Sequence, residues 1–175
     1  MSDENQNLND ADLNTLLVFL EGTPAKLVSL TSDLSDAELR WKHSSEEFSA
    51  LENICHLRDL EVQGYAPRIR RMLDEINPVL PDFDGARVAA ESNYNDEPRA
   101  TALEALEKAR HANVERLRSL TEEQLRRAGK LEGVGTITLK QLAEKLREHD
   151  EAHLEDMHVL RLQLSRSPEI KKVNS

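Results

Sequence analysis

The sequence predicts an all-α protein, folded as a four-helix bundle. Three observations carry that expectation. The strong helix formers Ala, Leu, Glu, Arg and Lys dominate, whereas six glycines and six prolines are too few for many strands and tight turns. Four long segments repeat apolar residues at spacings of three and four, the period of a helix with one buried face. The links between them are short, which favours antiparallel neighbours, and 175 residues suffice for one domain with a substantial core.

The first helix is predicted over about Ala11 to Thr31, with Leu13, Leu16, Leu17, Leu20, Leu27 and Leu30 inward. Pro24 follows Gly22 and has no amide donor, so a kink or short break is expected there. Leu13, Leu16, Leu17, Val18, Phe19 and Leu20 are more apolar surface than one stripe buries. Either a second copy of the chain packs on them as a homodimer, or the bend lets one chain cover both sides. Ser35 and Glu38 form a capping box for one brief turn. The second helix starts at the capping box Ser49 and Glu52 and runs to about Asn77. Its stripe reads Leu51, Cys55, Val62, Tyr65, Ile69, Met72 and Ile76, and Pro67 is expected to bend it. "NPVLPDFDG" reads as a loop, followed by a short helical piece over 86–91.

The third helix is predicted to open at Asp96 as N-cap, with Pro98 in its first turn. Leu103, Leu106, Arg110, Asn113, Leu117 and Leu120 form its stripe. "TEEQ" suggests another short turn, and "GKLEGVGTI" a loop or small hairpin. The fourth helix begins at the capping box Thr138 and Gln141 and runs to about Leu164. The ends, about 1–9 and 166–175, are polar and expected to be loose.

Net charge is −10, which repels phosphate backbones and argues against nucleic acid as a partner. No apolar run reaches the roughly 18 residues of a membrane span, and "MSDENQNLND" lacks the pattern of a signal peptide. The single cysteine, Cys55, cannot form an intrachain disulfide. A cytoplasmic protein with neither a membrane nor a nucleic-acid partner is expected.

The chemistry concentrates in "LREHDEAHLEDMHVL". The inward stripe of the fourth helix reads Leu139, Leu142, Leu146, His149, His153, Met157, Leu160 and Leu164, while His158 lies about 100° from Met157. Imidazoles four apart share a face and rise roughly 6 Å, so His149 and His153 can share one metal ion. They can equally be two core histidines hydrogen-bonded to carbonyls or carboxylates. A third ligand would come from His43, His56 or His111. His56, beside Glu52, Asp59 and Gln63, lies at the edge of its helix's stripe.

"FSALENICHLRDLE" (Phe48 to Glu61) followed by "TITLKQLAEKLREHDEAHLEDMHVLR" (Thr136 to Arg161) resembles the DinB-like superfamily. These four-helix bundles include bacillithiol transferases and related mycothiol-dependent enzymes. The resemblance spans about Ala11 to Leu164. It rests on a histidine in an "-HL-D-E" context on the second helix and an "HD--HL" pair on the last. It implies a divalent metal, Zn²⁺ or Ni²⁺, on His56, His149 and His153. It further implies a small-molecule substrate and either a transferase using a low-molecular-weight thiol or a hydrolase. A non-catalytic metal-binding or stress-associated protein is the alternative. The chain departs from the pattern in carrying Phe48 where a tryptophan is common, and in Pro67.

Three histidine ligands would leave a coordination position open for a metal-activated water or a thiolate. Around the site, Arg110 on the inward face reads as a salt bridge to Asp59 or Glu52, or as an anchor for a carboxylate of substrate or cofactor. Tyr94 is a candidate pocket residue. Asp59 is placed to orient His56, and Asp150 and Asp156 to orient the other pair, although most helix charges are solvated. Cys55 reads as a buried structural thiol, since neighbours on a helix diverge.

Overall fold

The computed structural model describes residues 2–167. The expected loose tail falls almost entirely outside that range. Four long helical rods form the bundle: α1 (Ser2–Thr31), a composite rod, α6 (Arg99–Arg118) and α8 (Leu139–Arg166). The composite rod is α3 (Ala50–Asp59), a π-helical segment over Leu60–Tyr65, and α4 (Ala66–Asp74). Short pieces link the rods: α2 (Asp36–Arg40), α5 (Gly85–Glu91), a 3₁₀ turn over Tyr94–Asp96, and α7 (Glu122–Leu125). α1 and α3 stand diagonally across the bundle, each flanked by α6 and α8.

The three expected capping boxes, and a fourth on Thr121 and Gln124, start α2, α3, α8 and α7. The hairpin is real: β2 (Ala128–Leu131) pairs antiparallel with β3 (Gly135–Thr138). Within the expected loop, β1 (Val79–Leu80) adds to β2 in parallel. This small sheet sends Leu80, Leu131 and Ile137 into the core with Leu16, Leu17 and Leu20. No helix among the described residues is long and apolar enough to cross a membrane.

Neither proline interrupts its rod, and the short break offered as one alternative at Pro24 is not seen. α1 runs unbroken through Pro24. Proline cannot donate to the carbonyl four residues back, which is Leu20. Arg110, 1% exposed, donates from Nη1 to that carbonyl at 2.9 Å, so the missing backbone bond is replaced from α6. At Pro67 the helix widens instead of breaking. The amide of Ala66 donates to Glu61, five residues back, and the π-helical turn makes room for the ring.

The widening also shifts the register of the inward face. Val62, expected inside, is exposed, while Leu60 and Glu61 are buried. Ile76 lies beyond the end of α4 and is exposed. α3 is buried on nearly every side: Leu57 packs in the bundle with Leu27, Leu106 and Met157, while α5 and the 3₁₀ turn cover Leu51, Ile54 and Cys55 on the face that a plain bundle would leave wet. α6 begins after Pro98, not at Asp96, since the residue before a proline is held extended; Glu97 has ψ 142°. Of the apolar surplus on α1, Leu16, Leu17 and Leu20 are buried and Leu13 is partly buried. Phe19 is covered by the Lys26 ammonium at 3.8 Å and the Arg147 guanidinium at 5.2 Å, leaving Val18 exposed.

Candidate metal centre

The centre of α8's inward face belongs to Asp150, which is fully buried, with His149 and His153 on the flank turned toward α3. Spacings of three and four admit both assignments, and burial settles the matter. Asp150 accepts from Arg110 Nη2 at 3.0 Å and also pairs with Nη1. Arg110 Nε lies 3.0 Å from Glu61 Oε2, an ion pair too bent to be a hydrogen bond. Asn113 donates to Glu61 Oε1 at 2.8 Å. Burial pushes the Glu61 carboxyl up, against the pull of Arg110.

Arg110 is therefore paired with Glu61 and Asp150, not with Asp59 or Glu52, and its guanidinium is closed to any ligand. The remaining expected site residues also have partners. Asp59 accepts from the Tyr94 hydroxyl at 2.7 Å and from Arg58 Nε at 2.8 Å. It does not orient His56, whose Nδ1 has no hydrogen-bond partner among the described residues. Tyr94 is thus part of the packing under α3. Glu52 caps Ser49 and takes Lys42 and Asn95. Asp150 is taken by Arg110, and Asp156 Oδ2 is 4.0 Å from His153 Nδ1. Cys55 is buried, and burial pushes its thiol up to about 12, the signature of an inert thiol.

His56, His149 and His153 converge. One ligand atom from each lies within 4.8 Å of the other two. His56 Nε2 and His149 Nε2 are 3.4 Å apart. Two nitrogens at about 2.1 Å from a zinc-sized ion, subtending a tetrahedral angle, would be roughly 3.4 Å apart, so the donor set fits such an ion. Burial drives all three imidazoles toward the neutral, ligating form. His56 falls to about 4 and His149 to about 3, with the neighbouring His153 adding to burial in both; His153 is lowered by burial as well.

Residues invisible to periodicity complete the surroundings. Phe48 stacks on His153 at 6.3 Å between ring centroids and tilts against His56 at 5.2 Å; Phe83 tilts against His56 at 6.2 Å from the other loop. Gly85 presses on the same imidazole so closely that a Cβ there would meet His56 Cε1 at 2.4 Å. Asn53, one turn before His56 on α3, is buried and contacts His153 Nδ1. A cleft of about 420 Å³ reaches His153 and Asn53, with Glu46, Glu47 and Asp156 as its charged lining.

The other histidines stay apart. His43 and His158 are exposed. His111 groups with Glu21 and Glu115 at the surface, but both carboxylates are engaged by Arg118.

Comparison with known proteins bears on the family and the fold. The family model of the DinB superfamily matches residues 20–157. Among solved structures, YfiT from Bacillus subtilis superposes with a TM-score of 0.80 at 20% identity, covering 87% of each chain. YfiT is described as a probable metal-dependent hydrolase with an unusual four-helix bundle topology. No curated protein matches the chain. The family match extends from the middle of α1 to Met157, a range that holds all three clustered histidines, and the chain belongs to the DinB superfamily.

Proposed function

We propose that the protein is a metal-dependent enzyme of hydrolase type, acting on a small molecule, with a divalent ion on His56, His149 and His153. The observation that carries this reading is the convergence of three neutral imidazoles from two helices beside a cleft. Three protein ligands suit a catalytic site better than a closed structural one, which typically has four. A divalent ion supplies Lewis acidity, polarising a carbonyl or phosphoryl oxygen and acidifying water.

The chain's own residues do the rest. Phe48 and Phe83 wall the imidazoles on two sides and limit the entry of bulk water. Gly85 lets the Phe83 loop close against His56. Glu46, Glu47 and Asp156 make the mouth negative, which suits a neutral or cationic substrate. The thiol-transferase reading has less support. An anionic thiol such as glutathione needs a cation, yet Arg110 is sealed by Glu61 and Asp150, and among the described residues no Lys or Arg lines the cleft. The non-catalytic reading would be favoured by a site closed on all sides, whereas here the cleft reaches a ligand.

The test is metal analysis of protein purified without an affinity tag, followed by assays on ester, amide and phosphoester panels with Zn²⁺, Ni²⁺ or chelator. Chelator-sensitive turnover that is absent from His153→Ala supports the proposal. Stoichiometric metal without turnover on these panels, combined with metal-dependent transfer to bacillithiol, mycothiol or glutathione, overturns the hydrolase assignment.

A further inference from the structure

A neutral imidazole has one proton and one lone pair, and only the nitrogen with the lone pair can ligate a metal. In water the proton favours Nε2, the nitrogen through which His56 and His149 meet and the one that His153 has free, since its Nδ1 is engaged by Asn53. At His153 the surrounding hydrogen bonds remove that choice.

Asn53 is 1% exposed, and its Nδ2 lies 2.9 Å from the Ser49 carbonyl oxygen. A carbonyl only accepts, so the amide must present its NH₂ group to Ser49. Its Oδ1 then faces His153 Nδ1 at 2.7 Å. An amide oxygen cannot donate, so Nδ1 carries the proton and Nε2 keeps its lone pair. Ser49 is itself fixed as the N-cap of α3, with its hydroxyl accepting from the Glu52 amide. The amide of Asn53 also donates to the Ser49 carbonyl at 3.0 Å, so that oxygen is held in place twice over. The chain of constraint runs from a helix cap, through one amide, to one imidazole nitrogen.

The other two histidines lack this constraint. Nδ1 of His56 and Nδ1 of His149 are buried and have no hydrogen-bond partner among the described residues. Their Nε2 atoms face each other at 3.4 Å, so in the metal-free chain one of the pair donates from Nε2 and only the other keeps its lone pair there. Nothing else in the described surroundings decides which, so the three ligands are not equivalent.

We propose that Asn53 is a positioning residue that locks His153 in its Nδ1–H tautomer, making His153 the pre-set ligand of the centre, while His56 and His149 settle their tautomers only on loading. The inference rests on the metal reading given above only for its consequence. The tautomer itself is a property of the metal-free chain. Partners of this kind that fix a ligand imidazole typically contribute 10–100-fold in metal affinity.

The experiment has two arms. In the first, imidazole ¹⁵N–¹H correlation spectra are recorded on the full metal-free chain near pH 8, above the imidazole range, with His153 assigned through its loss in His153→Ala. The expected result is a protonated Nδ1 and a bare Nε2 at His153. A proton on Nε2, or a mixture, overturns the proposal whatever the metal does. The second arm measures Zn²⁺ affinity by competition with a chelating dye. Asn53→Leu removes the acceptor and should weaken Zn²⁺ by roughly 10–100-fold while His153 drifts to Nε2–H. Asn53→Asp keeps an acceptor and should keep both the tautomer and most of the affinity. Full affinity in a folded Asn53→Leu overturns the positioning role. If the parent chain binds no Zn²⁺ although His153 holds its Nδ1–H form, the metal reading fails while the tautomer lock stands. If Asn53→Leu does not fold, the spectra of the unaltered chain and of Asn53→Asp still decide the matter.

Discussion

Replacing Arg110 by methionine tests the centre of the fold. The side chain is 1% exposed and reaches Glu61, Asp150 and the Leu20 carbonyl. Arg110→Met keeps much of the volume but strands two buried carboxylates, a change that typically costs about 3–5 kcal/mol. It also leaves without its donor a carbonyl that Pro24 cannot serve, at about 1–3 kcal/mol. Glu61, whose carboxyl burial already pushes up, relieves part of the charge by taking a proton, so the low ends apply together and the expected loss is about 4 kcal/mol. For a chain of this size that corresponds to roughly 8–16 °C in Tm. The assay is far-UV circular dichroism on heating, in the presence of chelator so that metal does not contribute. A second substitution separates the carbonyl from the carboxylates. Pro24→Ala restores a backbone donor to Leu20, and it should stabilise the Arg110→Met background more than the parent, by about 1 kcal/mol. A loss below about 1 kcal/mol in Arg110→Met, or equal gains from Pro24→Ala in both backgrounds, would refute the reasoning.

Metal that binds only the folded state raises stability by mass action, so Zn²⁺ in hundredfold excess over its Kd should add about 2.7 kcal/mol, and His153→Ala should lose that response while remaining helical. Equal responses in parent and variant would count against a site on His153. Gly85→Ala should push the His56 ring aside by about 1 Å, because its Cβ would sit 2.4 Å from His56 Cε1 where contact normally begins near 3.4 Å; Zn²⁺ affinity should fall with little change in helix content, and unchanged affinity would show that the loop gives way instead. The pH dependence has a defined sign: the folded imidazoles of His56 and His149 lie below their usual 6.5, at about 4 and about 3, so their neutral forms stabilise the metal-free fold fully above pH 6.5, and that contribution is lost as pH falls toward 4. Urea midpoints measured from pH 7.5 to 4.5 should decline, and the decline should be shallower in His149→Phe; identical slopes would sink the assignment.

What the sequence discloses is what short-range chemistry decides. Capping boxes at Ser35, Ser49 and Thr138 are legible because a hydroxyl and a carboxylate or amide three residues on need no other part of the molecule. The length of α8 follows from periodicity, as do the inward face of α6 and, outside positions 149–153, that of α8. The prolines are not legible in this way. Pro24 passes through an unbroken helix because a guanidinium 86 positions later replaces its missing donor, 90 positions from the carbonyl it serves. Pro67 is accommodated by a π-helical turn that shifts everything before it by one position, which is why Val62 faces solvent and Glu61 the core.

The same distinction explains the site. His149 and Asp150 each satisfy the three-and-four spacing from Leu146 to Met157, so the pattern alone cannot choose which of them is central. The choice is made across the bundle. Arg110 on α6 supplies the cation that lets a carboxylate occupy the fully buried position, and the imidazoles are thereby turned to the flank facing α3, where His56 meets them. Put the other way round, a histidine at the centre would point at α1 and α6, away from His56. The ion network and the histidine cluster are thus two faces of one arrangement of α8. The buried salt bridge contributes less through its own energy, which desolvation largely offsets, than through the rotation of α8 that it selects. A sequence reading that treats Asp150 as an ordinary solvated charge misses the residue that aims the histidines.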